Sequence, residues 1–325
     1  MIPKKIIFVL IITTFSVMIT LAAAEIILRF KNSDGKNYHI EMWKYSSVLK
    51  QRSDNPVLGH EHVPNKAAKL QNVQIRINEK GLRGSSLPAA SLGQRRILLI
   101  GSSATLGWGV EEEKTISAQL QKKFKAANIN AIVMNAGIGN YNTERYVTLF
   151  LEKNKDLNPT DIVVNYYLND AEVLAPGGGN VLIRNSQLAV TFWILANRLK
   201  GTFGHTDLLS HYKETYKKTY PGFIRMNKAL GNLANYAKQN NIRLYLMIMP
   251  EVHDISNYKY DFAHEIMQEI SMAKGYIYVD ALPAMKKVDD AQSLWTMPSD
   301  PHPNNIAHSM FADILYPFLI NTKSQ

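Results

Sequence analysis

From Arg96 onward the chain alternates between short apolar runs and longer amphipathic stretches. The periodicity predicts strands at Ile97–Ile100, Ala131–Asn135, Ile162–Tyr167, Arg243–Met249 and Tyr276–Asp280. It predicts helices at Ile116–Ala127, Glu144–Asn154, Gly222–Asn240, Asp261–Lys274 and Ile306–Ile320. Strands separated by helices pair in parallel through crossovers. The alternation therefore dictates an α/β chain whose parallel sheet is covered by helices on both faces. In such sheets ligands bind at the carboxyl ends of the strands. Ser103, the Asn135–Asn142 loop, Asn169 and Asp170 each follow a predicted strand, so all fall on that rim. Residues 171–220 break the rhythm, starting with Pro176-Gly177-Gly178-Gly179 and continuing through an apolar stretch, Leu188–Leu199. This reads as an insertion beside the rim, either a lid or specificity wall or a helix that completes the core.

Three separated segments on or near the rim carry chemistry. In Ile97-Leu98-Leu99-Ile100-Gly101-Ser102-Ser103 an apolar run stops at a glycine and delivers a hydroxyl where strand gives way to helix. A serine hydroxyl is a weak nucleophile and needs a base, usually a histidine held by a carboxylate. Ser299-Asp300-Pro301-His302-Pro303-Asn304 supplies both, with His302 as the base and Asp300 as the orienting acid. Flanking prolines stiffen the loop, and Asn304 can cap the last helix. Attack on an ester carbonyl creates an oxyanion that needs donors. The Asn169 side chain in Tyr166-Tyr167-Leu168-Asn169-Asp170 can be one, the backbone N–H of Ser103 another, and a backbone N–H from Gly139-Asn140 a third. Tyr167, Asp170 and Trp108 are expected to touch the substrate. This chemistry calls for no metal and no cofactor.

The order of these segments resembles the SGNH (GDSL-type) hydrolases. Those enzymes carry serine in a Gly-Asp-Ser block, a glycine in a second block, asparagine in a Gly-x-Asn-Asp block and a late Asp-x-x-His, on a flavodoxin-like three-layer α/β/α sheet. The resemblance spans Ile97 to Leu319, and "GSSATLGWGV" with "NAGIGNYNTER" is similar to the membrane-anchored branch. It implies Ser103 as nucleophile, Asn169 as oxyanion donor and His302 as base. Four positions depart from the pattern: Ser102 replaces the first-block Asp, Asn140 aligns with the second-block Gly, Tyr167 precedes Asn169, and Ser299 stands three residues before His302. Some polysaccharide acetyltransferases of the superfamily use Asp-x-His, which favours Asp300 as the acid.

At the N-terminus, Lys4 and Lys5 precede an uncharged, mostly apolar run from Ile6 to Ala24. As a helix it reaches roughly 28 Å, close to the thickness of a bilayer's hydrocarbon core. Residues 1–30 are thus expected to form a single-pass bacterial inner-membrane anchor with the catalytic domain periplasmic or extracellular. The alternative is a signal sequence cleaved near Ala22-Ala23-Ala24, with the protein secreted. Residues 31–95 read as a stalk and small β attachment, with a strand at Val73–Asn78 that runs into "IRINEKGLRG", a segment similar to one that precedes the nucleophile in anchored SGNH proteins. Residues 96–325 read as the catalytic domain.

The chain has no cysteine, which excludes disulfides, thiolate chemistry and cysteine-ligated metals. Its formal charge of +10 is compatible with an acidic partner, but no basic motif with interleaved aromatics favours nucleic acid. The basic run from Arg198 to Lys228 is a solvated helix face or a surface for an acidic substrate. Gly101–Gly109 contains neither a dinucleotide nor a P-loop motif; His60 and His62 stand two apart on a polar stretch, and His302 and His308 lack a matching carboxylate cluster for a metal. The expected activity is ester hydrolysis or O-acyl transfer on an acylated envelope glycan or lipid. The competing expectation is a non-catalytic glycan-binding or assembly protein on a degenerate scaffold. The sequence leaves the oligomeric state open.

Overall fold

The computed structural model describes residues 3–175, 180–201 and 207–321. The Pro176-Gly177-Gly178-Gly179 run lies outside the described residues, as do the side chains of Arg198 and Lys200. The central sheet has five strands in the spatial order Ala131–Gly137, Arg95–Gly101, Asp161–Tyr167, Arg243–Met249, Ile277–Asp280. Every neighbouring pair is parallel. Numbered along the chain this order is 2-1-3-4-5, the doubly wound flavodoxin-like arrangement.

Successive side chains of a strand point to opposite faces, and the two cores show it. Leu98, Ile100, Ile162, Val164, Leu244 and Leu246 face one side, against residues of helices Thr143–Leu149, Pro221–Gln239 and Asp261–Lys274. Ile97, Leu99, Val163, Tyr245 and Met247 face the other, against helices Ile116–Ala126 and Asn305–Ile320. Hence the apolar runs in the sequence are nearly continuous, as strands buried on both faces require. The result is a three-layer α/β/α domain.

Residues 32–95 carry more regular structure than a stalk requires. After helix Tyr38–Val48 come two antiparallel hairpins, Lys50–Arg52 with His60–His62 and Lys66–Leu70 with Val73–Ile77. Tyr45, Leu49, Leu70, Ile75 and Ile77 form a small core with Leu106 and Trp108, which follow the nucleophile candidate. Bridges from Ile77 through Arg83 to Asn135 attach this layer to the sheet's edge strand.

The N-terminal helix runs from Lys4 to Lys31 with no buried residue, and it is long and apolar enough to cross a membrane. Its far end is fastened to the insertion. The Glu25 carboxylate accepts hydrogen bonds from the backbone N–H groups of Gln187 and Leu188, both at 2.9 Å, and from Ser186 Oγ. Arg29 donates to the Asn185 carbonyl. The insertion helix Gln187–Gly201 leaves Phe192, Trp193 and Leu195 exposed, whereas Tyr212 and Tyr216 further on join the core.

Candidate active site

Strand Arg95–Gly101 lies between two others at the carboxyl rim: Gly101 pairs with Gly137 on one side and Asn165 on the other. Two residues beyond these partners lie Ser103, Gly139 and Tyr167, so the serine is flanked by both candidate donor loops. The packing at the end of the strand is too close for side chains. A Cβ at Gly137 would fall 2.1 Å from the Leu106 backbone nitrogen, and one at Gly101 2.8 Å from the Asn165 carbonyl. Those glycines let the short helix Ser103–Leu106 seat against the sheet. Ser103 opens its first turn, where backbone N–H groups have no intrahelical acceptor. Buried Arg83 donates to the carbonyls of Leu106, Gly107 and Val110, bracing the far end of that turn.

The base arrives from the far end of the chain. Trp295–Met297 pairs with Asp300–Pro303 in a short antiparallel hairpin, and Asn304 caps the last helix by accepting from the backbone N–H groups of Ile306 and Ala307. His302 Nε2 lies 2.9 Å from Ser103 Oγ, and its Nδ1 lies 2.5 Å from Asp300 Oδ1. The sequence separates serine and histidine by 199 positions, and the fold brings them into hydrogen-bond reach. Serine and histidine are each partly accessible, while Asp300 is buried. The Tyr38 ring lies against His302, with centroids 5.8 Å apart.

Asp300 is held by donors on both oxygens. Oδ1 also accepts from the His302 backbone N–H at 3.1 Å, and Oδ2 accepts from Trp108 Nε1 at 3.0 Å and Gln71 Nε2 at 2.5 Å. Burial alone would push this carboxyl up. The hydrogen bond and charge of His302, aided by Gln71, hold it below the usual carboxylate range.

The Gly139-Asn140 loop resolves into one bound amide and one candidate donor. The Gly139 N–H donates to Tyr45 Oη at 3.0 Å, so it is withdrawn from substrate, and the Asn140 N–H is the remaining donor of the expected pair. A Cβ at Gly139 would sit 2.6 Å from the Tyr45 ring. The Gly139 carbonyl belongs to the same peptide group as the Asn140 N–H, and it accepts from Lys50 Nζ at 2.7 Å and His60 Nε2 at 3.0 Å. In a trans peptide the two groups point in opposite directions, so gripping the oxygen fixes where the N–H aims. Donors on the oxygen also polarise the N–H. Arg145 braces the next carbonyl, that of Asn140.

Asn169 follows strand Asp161–Tyr167 on a short 3-10 turn, and its side chain is exposed on the rim. Tyr167 is half-buried at the same edge. The other two residues expected at the substrate are internal. Trp108 is buried, with its indole N–H spent on Asp300. Asp170 is fully buried and accepts from Tyr146 Oη at 2.8 Å and the Tyr167 N–H at 3.2 Å. Burial pushes the Asp170 carboxyl up to about 8. Its role is to shape the turn that carries Asn169.

Sequence reasoning missed Gln71, Tyr38, Tyr45, Lys50 and His60, all in the segment read as an attachment. One signal was present: Gln71-Asn72 joins two short runs, and both residues adopt left-handed backbone conformations (φ 46° and 65°), as a two-residue hairpin turn requires. That turn carries Gln71 to Asp300.

No family model and no curated protein matches the chain. Solved structures do. The psychrotrophic esterase EstA from Pseudoalteromonas sp. is 16% identical, covering 70% of this chain and 100% of its own, with a TM-score of 0.44. A lipase/acylhydrolase from Enterococcus faecalis is 13% identical, covering 69% of this chain and 95% of its own, at 0.45. An acetyl xylan esterase, AlAXEase, is 14% identical over 69% of this chain and 100% of its own, also at 0.45.

Proposed function

We propose that the protein is a serine esterase that works through an acyl-enzyme on Ser103. The observation that carries this reading is the unbroken relay from Ser103 Oγ to His302 Nε2 and from His302 Nδ1 to Asp300. His302 takes the hydroxyl proton as the oxygen attacks an ester carbonyl, and Asp300 stabilises the imidazolium that forms. The N–H groups of Ser103 and Asn140 and the Asn169 amide receive the oxyanion. Each such donor contributes about 3 kcal/mol in comparable sites. As the tetrahedral intermediate collapses, His302 returns the proton to the departing alkoxide, leaving the acyl group on Ser103. Water or a sugar hydroxyl, deprotonated by the same imidazole, then releases it. The first acceptor makes the protein a hydrolase and the second an O-acyltransferase.

The N-terminal helix is read as a single-pass anchor that places residues 96–325 on the outer side of a bacterial inner membrane, where acylated envelope glycans and lipids are the available esters. Its lack of buried residues and its attachment through Glu25 to the insertion support a retained helix over a cleaved leader. The test is fluorophosphonate labelling of the full-length protein beside Ser103→Ala and His302→Ala. Labelling is expected in the wild type and absent from Ser103→Ala. An unlabelled wild type, or labelling that survives Ser103→Ala, would remove the nucleophile. Acetylated sugar among the products, when an activated acetyl ester is offered with an oligosaccharide, would decide for transfer.

A further inference from the structure

A cavity of about 520 Å³ opens beside the site, bordered by Tyr38, which lies against His302, and by Asn140. Met42, Ile183, Val190, Trp193 and Ile194 give it an apolar lining, and the Trp43 indole N–H in that lining donates to the Ile183 carbonyl at 2.6 Å. Lys50, Arg52 and Arg184 also line it, and among the described residues no Asp or Glu does. Buried Lys50 donates to the Gly139 carbonyl rather than to a carboxylate. The Arg52 and Arg184 guanidiniums, left without a carboxylate among the described residues and beside an apolar wall, suit a molecule with an anionic group and an adjoining hydrocarbon part.

Position narrows the class further. The insertion wall is fastened to the N-terminal helix by Glu25 and Arg29, immediately past the uncharged run Ile6–Ala24. A helix that crosses a bilayer over that run puts Glu25 at headgroup depth, and the cavity wall with it. On the same wall helix Phe192 and Leu195 remain exposed, as suits a helix lying along the interface.

We propose that this cavity admits an anionic lipid from the bilayer, its acidic headgroup against Arg52 and Arg184 and its adjoining chain along the apolar lining that includes Trp193. The proposal rests on the esterase reading only for the step after binding, in which an ester is presented to Ser103.

The full-length protein would be placed in nanodiscs containing phosphatidylcholine or phosphatidylglycerol, each with brominated acyl chains at equal bromine density, and tryptophan quenching measured. Phosphatidylglycerol is expected to quench about twofold more. The excess should vanish in Arg52→Gln/Arg184→Gln and fall in Trp193→Phe. Equal quenching by the two lipids, or an excess that survives the double arginine variant, overturns the proposal. So does protection of Ser103 from fluorophosphonate by a soluble acidic oligosaccharide but not by phosphatidylglycerol, which would assign the cavity to a glycan. Excess quenching in a protein whose Ser103 never labels would keep the lipid site while sinking the esterase reading.

Discussion

Replacing Asp300 with asparagine tests the relay through an atom-by-atom mismatch. The carboxylate accepts four hydrogen bonds: two from His302 on Oδ1, and those of Trp108 and Gln71 on Oδ2. An asparagine has one oxygen for these four donors. With its NH₂ toward His302, it donates to Nδ1 and forces the ring to carry its proton on Nε2, where it can no longer accept from Ser103. It also opposes the His302 backbone N–H. With its NH₂ toward the other side, it faces the indole N–H of Trp108, which cannot turn away. Gln71 can turn, because its own Oε1 is buried without a partner and would accept the new donor. An unmade bond to a buried donor costs about 1–3 kcal/mol in either orientation, and in both the neutral amide no longer stabilises the imidazolium that forms as Ser103 attacks. The expected loss in kcat is on the order of 10³- to 10⁴-fold, about 4–5.5 kcal/mol of transition-state stabilisation. Turnover of p-nitrophenyl acetate and the rate of fluorophosphonate labelling should fall together. Trp108→Phe removes a single bond to Oδ2 and should cost less than about tenfold on the same scale. An Asp300→Asn protein within tenfold of the wild type in both assays would show that another group orients His302.

Lys50→Met should lower kcat by about two- to tenfold with KM nearly unchanged, since polarising one oxyanion donor is worth a fraction of that donor's contribution. Thermal unfolding should show no loss of stability, because burial and nearby Arg145 already hold this amine down at about 7; a raised KM with unchanged kcat would refute the assignment. Asn140 adopts a left-handed backbone conformation, φ 63°, so Asn140→Gly should keep activity while Asn140→Val should lose about 1–2 kcal/mol of stability and much of kcat, read by urea unfolding and steady-state kinetics. His60, His62 and His308 are held neutral by burial, each pushed down to about 3. The stability they contribute is complete above about pH 6.5 and is lost progressively as pH falls toward 3; a urea midpoint that stays flat between pH 7 and pH 4.5 would contradict it.

The parallel sheet was legible because strands buried on both faces must be apolar throughout, and nothing else in the chain has that pattern beside amphipathic helices. Arg243–Met249 and Asp261–Lys274 were read to the residue. The Ser103–His302–Asp300 arrangement was legible for a related reason: rim positions are set by where strands end, and His302 with Asp300 sits in a proline-stiffened turn. Trp108 and Asp170 misled because sequence shows that a polar atom is near the rim but not which way it points. In both cases the polar atoms turn inward, one to Asp300 and one to Tyr146. Gln71 and Lys50 were illegible because their function lies in contacts across 229 and 89 positions, carried by strands of three to five residues too short to show a period.

Those long-range contacts also bear on the departures from the SGNH pattern. Asn140 stands where that family has glycine, yet it keeps the left-handed backbone that glycine would supply, asparagine being among the few other residues that tolerate it. The donor there is a backbone N–H, so the side chain can change while Lys50 and His60 hold the peptide. The carboxylate that meets His302 lies two positions before it rather than three, and Trp108 and Gln71 meet it there from two different segments. In each case the altered residue is supported by groups outside the motif that position it. A scaffold whose chemistry had decayed would have no reason to retain a buried carboxylate with four donors, or a buried lysine on one peptide oxygen. Burying such groups costs stability unless their bonds are made, and their coincidence around one serine supports the proposed esterase over a decayed scaffold.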